Sequence, residues 1–311
     1  MRTMAQRTPL LAALLLLAAC SSETTTDRPS ATTGASSTEA CRPPAGQRDV
    51  AYVDGGGPLR RLDLYLPDDV GCDPVPLVVW VHGGGWRTGD KANAMADKVV
   101  LWNDAGWAVA SVDYRLTDTS VPVADRVVAP THNEDVASAI GWLIDRADDL
   151  GIDPDHLAVL GHSAGAGIVA ALATDPGYLD AVGLEPIDLG CVAPLDTEAF
   201  SIEAAVGTGP VLGKVYEDAF GTDPARWTEL SPLTHVGEAP IPPLLLVTRG
   251  TPLRREIVGT FADAVEASGG RVTIISLPTF SHEDVNKRIG DPTDGQLTPA
   301  LQDFLTTCLT R

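Results

Sequence analysis

Two features of the sequence predict an α/β fold built on a largely parallel sheet. Short apolar runs alternate along the chain with longer segments whose apolar residues recur at helical spacing. Several of those runs are apolar at every position rather than at every second one, as in strands buried on both faces. A chain of 311 residues suits one domain of this class.

The elements follow in order. Asp49–Val53 and Leu59–Leu66 flank Asp54-Gly55-Gly56-Gly57-Pro58, a hairpin signal, so the sheet is expected to open with antiparallel strands. Leu77–Val81 is a fully apolar strand. Ala94–Ala105 reads as a helix stopped by Gly106, and Trp107–Val112 as the next strand. Asn133–Asp149 carries Val136, Ala139, Ile140, Leu143, Ile144 and Ala147 at helical spacing, and Gly151 ends it. His156–Leu160 is a buried strand, Ser163–Thr174 a helix of small apolar residues, and Gly190–Ala193 a short strand. Residues 196–240 show weaker periodicity with several Pro and Gly, and read as a partial lid. Leu244–Thr248 (strand), Arg255–Ala267 (helix), Arg271–Leu277 (strand) and Thr298–Thr306 (helix) complete the alternation. No internal repeat or second domain is visible.

The first forty residues read differently. Arg2 and Arg7 precede the apolar run Leu10–Leu17, and the small residues Ala18-Ala19 precede Cys20. This is a secretory signal, too short for a spanning helix. Leu17-Ala18-Ala19-Cys20 resembles the lipobox of bacterial lipoproteins, which implies cleavage before Cys20 and a lipid on it. Ser21 to Ala40 are rich in Ser and Thr and poor in apolar side chains, the composition of a flexible tether. The expected organisation is a signal at 1–19, a lipidated Cys20 with linker at 20–40, and one domain at 41–311. An exported, extracytoplasmic location permits disulfides. The remaining four cysteines are expected to pair as Cys41–Cys72 and Cys191–Cys308. A formal charge of -20 argues against nucleic acid and against electrostatic attachment to anionic lipid. The expected membrane contact is the lipid anchor at Cys20 alone. No spacing suggests a metal site, and no cofactor is expected.

Gly161-His162-Ser163-Ala164-Gly165 follows one predicted strand and opens a helix. This is the G-x-S-x-G elbow in its required context: small neighbours permit a sharp turn that lifts the Ser163 hydroxyl above the sheet. Ser163 then sits at a helix N-terminus, which favours developing negative charge. His82-Gly83-Gly84-Gly85-Trp86 follows the Leu77–Val81 strand. Consecutive glycines leave backbone N–H groups open to an approaching oxyanion. The second donor of such a hole is the N–H after the nucleophile, here that of Ala164.

These motifs, with Asp113-Tyr114-Arg115, Gly151-Ile152-Asp153-Pro154, Phe220-Gly221-Thr222-Asp223-Pro224, Trp227 and Ser231-Pro232, resemble the hormone-sensitive-lipase-like and BD-FAE esterases of the α/β-hydrolase superfamily. The resemblance runs from about Asp49 to the C-terminus. It implies the α/β-hydrolase fold, a small lid and a Ser-His-acid triad. It also implies that Gly84 and Gly85 supply oxyanion donors. The order Ser, acid, His leaves His235 and His282 as candidate bases. His282 follows the last strand and is read as the general base, with Ser163 the nucleophile; His235 lies in the lid region and is poorly placed. His162 is expected to shape the pocket and His82 to orient its loop. His132 and His156 are read as surface or packing residues, and Asp113-Tyr114-Arg115 as a structural network.

The acid remains open. The resemblance implies an Asp in the loop after Leu244–Thr248, but Arg249-Gly250-Thr251-Pro252-Leu253-Arg254-Arg255 holds no carboxylate. Asp196, after the Gly190–Ala193 strand, is the favoured candidate, and Glu256, at the start of the next helix, is the alternative. The bland readings are a loop cap for Asp196 and a helix-terminal charge for Glu256. The expected function is hydrolysis of small carboxylic esters through an acyl-enzyme. The HGGxW pattern of His82–Trp86 also resembles kynurenine formamidases. Acetyl or feruloyl esterase action on polysaccharide is a further alternative, and a non-catalytic binding protein on this fold is the alternative of another class.

Overall fold

The structure is a computed structural model and describes residues 45–68 and 71–310. The expected signal at 1–19, Cys20, the expected linker at 20–40 and the Cys41 half of the expected Cys41–Cys72 pairing lie outside the described residues.

Eight strands form one sheet: β1 (Gln47–Ala51), β2 (Arg61–Tyr65), β3 (Val75–Val81), β4 (Ala108–Val112), β5 (Ile152–His162), β6 (Cys191–Leu195), β7 (Leu244–Thr248) and β8 (Val272–Ser276). Their spatial order is β1-β2-β4-β3-β5-β6-β7-β8. β1 pairs antiparallel with β2, and β2 antiparallel with β4; every later pairing is parallel. The opening hairpin and the mostly parallel sheet are as the sequence predicts. The central strands β3 to β7 are wholly or largely buried, as their continuous apolar runs require. Edge strand β8 is half open to solvent and alternates less cleanly.

The helices are α1 (Ala96–Asp104), α2 (Thr131–Asp145), α3 (Ala147–Leu150), α4 (Ala164–Thr174), α5 (Gly177–Asp180), α6 (Ile202–Val206), α7 (Pro210–Phe220), α8 (Pro224–Glu229), α9 (Pro252–Ala267), α10 (His282–Lys287) and α11 (Leu297–Leu309). The period-2 geometry of the strands divides their side chains between two cores. Leu77, Val79, Val81, Ala108, Ala110 and Val159 pack on α2, α4 and α9. Val78, Trp80, Val109, Ala158, Leu160 and Ala193 pack on Trp102 of α1 and on Leu297, Leu301, Leu305 and Leu309 of α11. The four α11 leucines recur at helical spacing on one buried face. Cys308 of α11 is bonded to Cys191 of β6, with Cα atoms 6.1 Å apart, so this helix is pinned covalently to the sheet.

The lid contains more order than the weak periodicity of residues 196–240 suggests. It holds α6, α7 and α8, each short and opened by a local signal: Ser201 caps α6, and Pro follows Gly209 in α7 and Asp223 in α8. α10 was not expected at all; a Ser281/Asp284 capping box starts it. α9 begins at Pro252, earlier than Arg255, because Thr251 caps it.

Candidate active site

The elbow is built by backbone contact that only glycine permits. A Cβ on Gly161 would lie 2.3 Å from the Gly165 carbonyl oxygen, and one on Gly165 would lie 2.2 Å from that of Val81. Ser163 itself is held at φ 57°, ψ −115°, a sparsely populated conformation for a side chain with Cβ. Its N–H donates to Leu195 O (3.0 Å), which ties the turn to the end of β6. Ala164 is the first residue of α4, so its N–H has no partner within the helix.

The end of β6 supplies the carboxylate. Asp196 also has positive φ, 60°, and its N–H donates to Val247 O at 3.1 Å. The side chain thereby reaches His282 at the start of α10. Ser163 Oγ–H donates to His282 Nε2 (2.8 Å), and His282 Nδ1–H donates to Asp196 Oδ2 (2.6 Å). Glu256, the other candidate acid, is exposed on α9 and no contact joins it to His282 among the described residues. His235 pairs with Asp175 and Glu238, away from Ser163.

Asp196 is buried and doubly paired. Arg249 Nε and Arg254 (2.8 Å) both donate to it. Burial disfavours its charge, but the hydrogen bond from His282 and the nearby guanidinium charges outweigh burial and hold the carboxyl below its ordinary range. Arg254 also pairs with Glu198. Burial raises Glu198, with Arg254 opposing. The arginines occupy the loop from which the sequence resemblance implied an acid. Sequence reasoning missed their role, although two guanidiniums in place of a carboxylate were a visible signal.

His162 packs against the His282 ring, with centroids 4.6 Å apart. Its Nε2–H donates to His282 O at 2.9 Å. Burial, with His282 adding to it, pushes the ring down to about 3, so His162 is a neutral support for the start of α10. The glycine loop is braced from below. His82 Nδ1 bonds Gly83 O (2.8 Å), Tyr114 Oη–H donates to His82 O (3.0 Å), and His82 stacks on Tyr114. Asp113 receives the Lys91 N–H at 2.6 Å and lies 3.5 Å from His82 Nε2. Arg115 forms a two-pronged pair with Asp135 of α2. His132 is fully buried against Tyr114 and Thr117, and His156 bonds Asp153.

Gly84 and Gly85 adopt φ 120° and 59°. Among the described residues neither N–H donates to another protein group. Gly83 lies against the Ser163 turn, and α7 covers the loop, with Val215 close over Gly85. α7 is fastened through buried Asp218, which pairs with Arg87, Arg126 and Lys214. A half-open pocket of about 210 Å³ brings Ser163, Ala164, Gly85 and His282 together beneath Trp86, Leu212, Val215 and Tyr216. Larger hollows of about 840 and 800 Å³ lie beside Tyr65 and Phe304 and contain no candidate nucleophile.

Donor atoms of His162, Asp196 and His282 converge within 4.8 Å, and so do those of Asp175, His235 and Glu238. In the first group both His282 nitrogens and the His162 Nε2 are engaged in the bonds described above. The arrangement suits proton transfer from Ser163 to His282, with Asp196 orienting the ring, more directly than ligation of an ion.

The BD-FAE family model matches residues 62–207. Carboxylesterase NlhH of Mycobacterium tuberculosis is 30% identical over 266 residues, which is 81% of this chain and 79% of the relative. The chain belongs to the α/β-hydrolase esterase family. Ethyl acetate hydrolase of Pseudomonas putida is 28% identical over 250 residues, 76% of this chain and 74% of its own length. A truncated carbohydrate esterase from gut microbiota superposes with a TM-score of 0.69, covering 87% of this chain and 100% of that one, at 19% identity. That likeness concerns the fold alone. In this esterase the carboxylate bonded to His282 follows β6, whereas the resemblance implied one after β7.

Proposed function

We propose that this esterase hydrolyses small carboxylic esters with Ser163 as nucleophile, His282 as general base and Asp196 as the acid. The observation that carries the reading is the unbroken hydrogen-bond chain Ser163–His282–Asp196 at the wall of a cavity of about 210 Å³. Ser163 Oγ attacks the acyl carbon while its proton passes to His282 Nε2. The carbonyl oxygen takes the charge and is met by the N–H groups of Gly84, Gly85 and Ala164. The tetrahedral intermediate collapses as His282 gives its proton to the departing alkoxide. Water then attacks the acyl-serine, His282 again takes the proton, and Ser163 leaves with it. Asp196 holds the imidazole with Nδ1 protonated and offsets the imidazolium charge that forms twice per cycle.

The roof of Trp86, Leu212, Val215 and Tyr216 limits the acyl group to a short chain. The test compares p-nitrophenyl acetate, butyrate and laurate with the full chain and its Ser163→Ala variant. Rapid turnover of the two short esters, slow turnover of laurate and a loss of at least 10³-fold in the variant are expected. Full activity in Ser163→Ala would remove the assignment.

The same reading places the enzyme outside the cytoplasm. Residues 1–19 act as a signal, Cys20 carries lipid, and residues 20–40 tether the domain at 41–311. The support is the sequence pattern Leu17-Ala18-Ala19-Cys20 and the composition that follows it. Metabolic labelling with a fatty acid is expected to mark the wild-type chain in the membrane fraction and to leave Cys20→Ser unmarked; an unlabelled wild-type chain defeats this assignment.

A further inference from the structure

The two arginines beside Asp196 are used unequally. Arg254 places its terminal nitrogens on Asp196 and Glu198. Arg249 commits only Nε, to Asp196. Its two terminal nitrogens have no partner among the described residues, although the side chain is only 16% exposed. That side chain lines the cavity that holds Ser163 and His282. The same wall carries the apolar Trp86, Leu212 and Val215 and, beside Arg249, the polar Thr197 and the Glu198–Arg254 pair. The terminal N–H groups of Arg249 reach solvent at the mouth of the site and are uncommitted within the protein, so they can meet an acceptor that enters with the substrate.

We propose that Arg249 is a specificity-determining residue that binds a carboxylate carried by the ester substrate. The proposal rests on the esterase reading and names a substrate class for it. A guanidinium presents parallel N–H groups that match a carboxylate in two-pronged fashion. Its bond to Asp196 fixes the side chain beforehand, so little rotamer freedom remains to be lost on binding. Glu198 does not compete for Arg249, because Arg254 holds it. The chain as a whole carries a charge of -20, so its overall field repels anions. Any preference for an anionic ester therefore reports the local contact.

The experiment uses the full chain and two matched pairs of substrates, with kcat and KM measured by titrating released acid. Methyl butyrate is compared with monomethyl glutarate, whose carboxylate is in the acyl part. Ethyl acetate is compared with O-acetylglycolate, whose carboxylate is in the alcohol part. In Arg249→Gln, the ratio of kcat/KM for the anionic over the neutral ester is expected to fall at least tenfold in one pair. The fall should come through KM, and Arg249→Lys should recover part of it. Loss of the Arg249 bond to Asp196 lowers kcat for both members of a pair, and the ratio removes that common effect. Ratios unchanged in both pairs overturn the proposal. Failure of the wild-type chain to hydrolyse any of these esters counts against the esterase reading itself. A wild-type measurement stands in should the variants misfold: glutarate is expected to compete with methyl butyrate at concentrations at least tenfold below those needed for its uncharged diamide. Equal inhibition by the two overturns the proposal.

Discussion

Replacing Asp196 with Asn keeps the volume of the side chain and removes its charge. In the native site His282 Nδ1 lies 2.6 Å from Asp196 Oδ2. Coulomb's law across that distance, at an effective dielectric of about 20, gives about 6 kcal/mol for the imidazolium formed in the transition state. Arg249 and Arg254 draw on the same carboxylate, so this figure is a ceiling. An Asn amide can also donate to Nδ1, which would put the ring proton on Nε2 and leave no acceptor for Ser163. Both effects act on kcat. A fall of about 10⁴-fold in kcat is expected, the size known for the equivalent change in a serine-protease triad. The assay is p-nitrophenyl butyrate hydrolysis at pH 7.5, beside Glu256→Gln as the comparison. Glu256 is exposed and is not among the groups bonded to the ring, so its variant should stay within about twofold of wild type. Should Asp196→Asn retain more than a tenth of the activity while Glu256→Gln loses it, the assignment of the acid is wrong.

Three further outcomes follow from the packing. Lys98 is fully buried in α1 and donates to Ala94 O, Asn286 O and Asn286 Oδ1, which ties α1 to the helix that begins at His282. Burial pushes it down to about 7. Between pH 7 and its ordinary 10.5 the unfolded chain binds a proton that the folded chain does not. Stability therefore rises with pH in that window and is insensitive to this group below it. From pH 7 to about 9.5 the wild type should gain about 3 kcal/mol over Lys98→Met in urea unfolding; parallel pH profiles would refute this. In Gly161→Ala the new Cβ meets a backbone carbonyl that cannot rotate away. Thermal unfolding should show a loss of about 1–3 kcal/mol or more, with kcat falling as the Ser163 turn shifts; native stability and activity would contradict the close approach. Cys308→Ser opens a crosslink between residues 117 apart, which chain entropy values at up to about 5 kcal/mol. A urea midpoint unchanged in the variant, and unaffected by reductant in the wild type, would argue against the bond.

The sequence determined those parts whose physics is local. A strand buried on both faces must be apolar throughout, so Leu77–Val81 and Leu244–Thr248 were legible. A turn as sharp as that at Ser163 needs glycine on both sides, so the position of this serine could be read from five residues. The Gly run at 83–85 was legible for the same reason: an open backbone leaves its signature in composition. Residues 196–240 were harder, because α6 and α8 are too short to show a period and α7 finds its partners, Trp86 and Gly85, more than a hundred residues away in sequence. The acid was harder still. Asp196 and His282 are 86 residues apart, and no sequence spacing records that the ends of β6 and α10 meet. The sequence favours Asp196 over Glu256 only by its place after a strand, and it is the parallel order β5-β6-β7 that carries one to the imidazole and leaves the other in solvent. The roles of Arg249 and Arg254 were decided the same way. A charge in a sequence has no address, and only the folded sheet determines which opposite charge it is buried against.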